Sequence, residues 1–130
     1  MIGKTIKSIL TGDSTLIALV PAVRMFPYVM NEGTPFPNLV YSIDDLQDIQ
    51  YTKAGWSWDQ WRFSVQFYSK DYAELQEIAL AARNALELKK IGYGSQDIGN
   101  IYLSGFGEGY DQGAEAFFNQ LIFTVKTNSY

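Results

Sequence analysis

The chain of 130 residues contains neither cysteine nor histidine. Without thiols no disulfide framework can form, and the usual sulfur and imidazole ligands of zinc and iron–sulfur centres are missing. The same two absences exclude Cys–His and Ser–His–Asp nucleophile systems, so any catalysis would fall to carboxylates, lysine, tyrosine or a bound Mg²⁺. Hydrophobic runs are short. None approaches the roughly 18 residues of a membrane-spanning helix, and no basic start leads into a cleavable apolar stretch. The expectation is a soluble, non-secreted chain with no membrane contact. Basic charge is scarce too: 10 Lys and Arg stand against 14 Asp and Glu, for a net charge of −4. Only Lys89 and Lys90 adjoin. Phosphate contacts supply most non-specific affinity for nucleic acid, so no sequence-specific nucleic-acid binding is expected.

What is present suits a packed core. Apolar residues make up 47% of the chain and aromatics 15%, which argues against disorder and for a single domain over residues 1–130. Ile2, Ile6, Ile9 and Leu10 recur at helical spacing, and Gly12 reads as a helix stop. Asp13 then reads as the N-cap of a second short helix, ended by Pro21. VRMFPYV carries Pro27 and suits a sheet edge. NEGTPFPN (31–38) is a loop leading into LVYSI, where Leu39, Tyr41 and Ile43 share one parity. Ile49 and Tyr51 keep that parity, but Asp45 and Gln47 interrupt it, which calls for a bulge or a strand that projects beyond the core.

WRFSVQFY alternates Trp61, Phe63, Val65 and Phe67 with Arg62, Ser64, Gln66 and Tyr68, the pattern of a half-buried strand. Asp71 caps the clearest helix, which runs to about residue 88, with Leu75, Ile78, Ala79, Ala82 and Leu86 on one stripe. Beyond it, 98–106 reads as a strand and 107–114 as a mobile glycine-rich loop. The last strand places Phe117, Leu121, Phe123 and Val125 on one face. The expected fold is α+β. An antiparallel sheet of four to five strands carries the long helix, about 71–88, and a short N-terminal helical pair packed on it.

Few residues invite chemistry. Gly105-x-Gly107-x-Gly109 lacks the Lys-Ser/Thr and the following helix of a phosphate loop, and reads as a flexible hairpin. Asp44, Asp45 and Asp48 form the densest acidic cluster. They lack the spacing of a calcium loop and read as a solvated strand end or a charged assembly contact. No pair of carboxylates stands out as acid and base. Trp56 and Trp58 fall on the polar parity of the strand that holds Trp61. Either a bulge near Asp59–Gln60 turns them inward, or they lie exposed as a protein contact or a stacking surface.

Four stretches taken together resemble the small tail-terminator or tail-completion proteins of long-tailed bacteriophages and prophages. They are the helical pair TIKSILTGDSTLIALV, the step VRMFPYV followed by TPFPNLVYSI, the strand WRFSVQFY running into SKDYAELQEIA, and the closing FFNQLIFTV. Together they span nearly the whole chain, whereas the WSWDQW entry and the glycine-rich 92–113 region depart from the pattern. The resemblance implies a virion structural subunit with no enzymatic activity and no cofactor. It forms a ring, commonly a hexamer, on the end of the tail tube, stops tube polymerisation and joins the head. Its partners are then other copies of itself, the tail tube protein and the head–tail connector protein. It would lie in the virion tail, after assembly in the host cytoplasm. Candidate assembly residues are Trp56, Trp58, Asp44, Asp45, Asp48, Phe106 and Tyr110. Two alternatives stand beside this: a head-side connector of the same virus class, and a ligand- or carbohydrate-binding module built on Trp56 and Trp58.

Overall fold

The structure is a computed structural model that describes residues 2–29, 33–51, 57–87, 92–93, 96–113 and 115–129, with side chains described within 3–29, 33–45, 60–87, 101–113 and 115–126. Helix α1 (Ile2–Gly12) and helix α2 (Ser14–Leu19) open the chain, and Asp13 accepts a hydrogen bond from the Leu16 amide at 2.9 Å. A 3₁₀ turn over Ala22–Arg24 leads to strand β1 (Met25–Pro27). Strands β2 (Asn38–Tyr51) and β3 (Ser57–Ser69) precede helix α3 (Tyr72–Leu86), and β4 (Gly92–Tyr93), β5 (Gln96–Asp111) and β6 (Ala116–Ser129) complete the order. The sheet runs β1-β2-β3-β6-β5-β4. Its four long strands are antiparallel, and β1 joins β2 in parallel. The fold is therefore α+β with a mixed sheet, since the proline-bearing edge piece pairs in the parallel sense.

Helix α3 begins where expected: Asp71 accepts from the Ala73 amide at 3.0 Å, while Ser69 Oγ donates to Glu74. The first contact satisfies an amide donor that a helix start otherwise leaves open, and the second ties the first turn to the end of β3. Its stripe of Leu75, Ile78, Ala79, Ala82 and Leu86 is buried against the sheet. Phe63, Val65, Phe67, Leu121, Phe123 and Val125 meet it from β3 and β6, and Ile6, Ile9, Leu10 and Leu16 close the layer from α1 and α2. Phe63 and Phe123 stack with centroids 5.3 Å apart. Each such large apolar side chain contributes roughly 1.5–3 kcal/mol on burial. All three helices cover one face of the sheet.

Strands β2 and β5 each carry two register shifts among the described residues, and one in each sets the face of the candidate residues. In β2, Ile43 pairs with Phe63 but Asp45 pairs with Arg62, so Asp44 is an extra residue. The odd-numbered run of core residues ends there, and the Asp45 break expected from the pattern is this bulge. In β5, Leu103 pairs with Phe123 and Gly105 with Ile122, so Ser104 is the extra residue. Strand β3 itself keeps one unbroken register with β6 from Ser57 to Ser69. The bulge considered near Asp59–Gln60 is therefore not in β3.

The expected mobile loop over 107–114 is overturned: β5 continues to Asp111, and only residues 112–115 connect it to β6. The reason is the spacing. Glycines at 105, 107 and 109 have a period of two, the period of one face of a strand. A Cβ on Gly109 would lie 2.9 Å from Phe118 Cζ, and one on Gly105 would lie 3.3 Å from Ile122 Cδ1. The missing side chains let β6 residues lie over β5.

Candidate functional site

The candidate residues fall at two ends of the sheet. On β5, the Ser104 bulge turns Phe106, Glu108 and Tyr110 toward the helix side, where they stand opposite Leu121, Asn119 and Phe117. Helix α3 packs mainly on β3 and β6 and touches β5 through Tyr72 and Gln76. Phe106 thus remains 54% exposed and Tyr110 51% exposed. The ring of Tyr110 meets Phe117 edge-on at 5.1 Å, and Tyr72 meets the same ring at 5.5 Å. Glu108 lies among them, accepting from the Tyr72 hydroxyl at 2.9 Å and from Gln76 Nε2 at 3.0 Å. That hydrogen bond, followed by burial, holds the Tyr72 phenol above its ordinary ionisation range. Between α3 and β5 lies an apolar groove of about 210 Å³, lined by Leu103, Phe106 and Leu121 beneath Ala79 and Leu80. Leu80 is 61% exposed on its rim.

At the other end, the Asp44 bulge turns two consecutive carboxylates onto the helix-free face. Ser64 Oγ donates to Asp44 Oδ1 at 3.1 Å, and Ser42 Oγ lies 3.1 Å from Ser64 Oγ. Arg62 forks onto both oxygens of Asp45 at 3.2 and 2.8 Å, which raises the guanidinium pKa further. An ion pair this exposed is worth little in stability. Among the described residues no acidic group of three or more is placed to hold a metal ion, and no helix is long and apolar enough to cross a membrane.

The structure therefore brings Phe106 and Tyr110 together and Asp44 and Asp45 together, but on different strands and opposite faces. Trp56 lies outside the described residues. Asp48 sits in β2 and Trp58 in β3, and the side chains of both lie outside the described residues. The sequence reading missed the groove beside Leu80 and a second recess, about 170 Å³, between α1 and the β1–β2 edge. The period-two glycines were the available signal for the first, because they mark β5 as a strand. The second has no local signal: its lining comes from three separate segments.

The arrangement has no acid–base pair among its described groups and consists of exposed aromatics, a groove and open sheet ends, features suited to assembly. No curated protein sequence matches the chain. Among solved structures, it is similar to a chain described as the virion of a native gene transfer agent particle. The TM-score is 0.75 at 16% identity, covering 95% of this chain and 92% of that one. At this identity the likeness concerns the fold. The family model of the tail completion protein gp17 matches residues 4–126, and the chain belongs to that family of virion structural proteins.

Proposed function

We propose that this chain is a ring-forming subunit of a phage-type tail. It sits on the end of the tail tube, stops tube growth and provides the surface that joins the head connector. The observation that carries this is the family match over residues 4–126. The fold likeness to a virion chain supports it. So does the one-sided architecture, in which helices cover one face of the sheet and the other face and both ends stay available. The subunit acts as a single domain, by assembly and without a cofactor. A closed ring needs two different patches on each copy, and Phe106 with Tyr110, and Asp44 with Asp45, are candidate assembly residues at separate ends. Trp56, Trp58 and Asp48 remain candidates for the same role.

The test is tube assembly. Adding the purified protein to polymerising tail tube subunits is expected to yield short tubes capped by rings, visible by negative-stain microscopy, with a closed oligomer in native mass spectra. Tubes of unchanged length, with a strictly monomeric protein, would sink the proposal. Rings that bind the connector but ignore tube ends would move the subunit to the head side of the joint.

A further inference from the structure

Both ends of the sheet carry backbone groups that no neighbouring strand occupies among the described residues. Strand β4 pairs with Gln96 and Asp97 of β5, and no described strand lies beside the outer side of Leu103–Tyr110. At the other end β1 and the Tyr28 amide cover β2 as far as Tyr41, and no described strand lies beside the outer side of β2 beyond that point.

The side chains beside these edges are complementary. On the helix side of β5, half-exposed Phe106 and Tyr110 flank Glu108, whose hydrogen-bond partners Tyr72 and Gln76 are neutral. On the helix side of β2, Gly3, Lys4 and Lys7 of α1 and Tyr28, Tyr41 and Ile43 line the 170 Å³ recess. The recess is apolar with two exposed lysines at its mouth, and neither lysine forms an ion pair among the described residues. Tyr28, 63% exposed, is held there at φ 61°, a conformation a bulky side chain rarely adopts.

Strand direction matches as well. Directions alternate along β2-β3-β6-β5, so β5 runs antiparallel to β2. Rotation about an axis along the strands preserves direction. It therefore brings β5 of one copy beside β2 of the next in antiparallel sense, with both helix sides aligned.

We propose that the outer side of β5 over Leu103–Tyr110 pairs with the outer side of β2 beyond Tyr41 in the next copy, seating Phe106 and Tyr110 in the recess under α1 and bringing Glu108 to Lys4 and Lys7. The occupant of each end is thus a second copy of this chain, and the contact is head-to-tail. This interface rests on the ring reading above, and its test separates the two. Glu108→Lys and the double change Lys4→Glu with Lys7→Glu each oppose like charges across the contact. Each is expected to weaken assembly at least about tenfold, read by sedimentation velocity, with a far-ultraviolet circular dichroism spectrum that still shows the folded chain. All three changes in one chain, or the two variants mixed, restore opposite charges and are expected to restore the ring. Because the chain has no cysteine, a Lys7→Cys and Glu108→Cys pair provides a second readout. Oxidation is expected to give a covalent ladder that neither single variant gives. Rings that survive both reversals, or reversals that the combination does not rescue, overturn this interface while the ring stands. A wild-type chain that stays monomeric in solution and on tube ends, with no ladder, overturns both.

Discussion

Gly109 shows how much a single residue can settle. Its absent side chain makes room for the Phe118 ring, which in turn lies tilted against Tyr68 at 6.2 Å. Gly109→Ala would place a methyl 2.9 Å from that ring and displace it, at an expected cost of about 1–3 kcal/mol by overpacking. Gly107→Ala meets nothing within 4 Å and is expected to change stability by less than about 0.5 kcal/mol. Urea denaturation of the two variants checks this contrast. Equal losses would mean that both glycines matter for backbone freedom instead of close approach. Asp45 is a second case at this scale. Its place in the sequence interrupts an apolar run, and the interruption is the trace of one extra residue, Asp44, in β2.

At the scale of elements, α3 joins local signals to tertiary packing. Asp71 and the alanine-rich stripe were legible from spacing, because a helix start and a helix face depend on residues within four positions of one another. Asp71→Ala is expected to cost about 1 kcal/mol by removing the bond to the Ala73 amide, and Asp71→Asn or Asp71→Ser to retain most of it. Thermal melts of the three variants decide it. A full loss in the serine variant would show that charge near the helix N-terminus, not the hydrogen bond, is what matters. Strand β5 is the opposite case. Its glycine density reads as a loop although the period of two belongs to a strand, and only the neighbouring side chains of β6 reveal why a strand would use them.

For the whole molecule, three phenols report on the packing of the layers. Burial raises the Tyr41 pKa, burial and then Asp111 raise that of Tyr68, and the Glu108 bond and then burial raise that of Tyr72. Each phenol ionises later in the folded than in the unfolded chain. The stability they contribute is therefore fully present below about pH 10 and is lost as pH rises through the folded values. Urea midpoints are expected to fall in that alkaline range, less steeply in Tyr41→Phe. An unchanged slope in that variant would assign the loss to the growing net negative charge. Composition and periodicity alone established the absence of thiol and imidazole chemistry, the helical pair, the capped long helix, the alternating β3 and β6 and the α+β class. Each of these depends on residue type or on neighbours a few positions away. Strand order, the parallel seat of β1, the bulges and the grooves at the sheet ends depend on which distant segments lie side by side. Only the packed sheet decides that, because a single inserted residue in a pairing exchanges the faces of every residue beyond it.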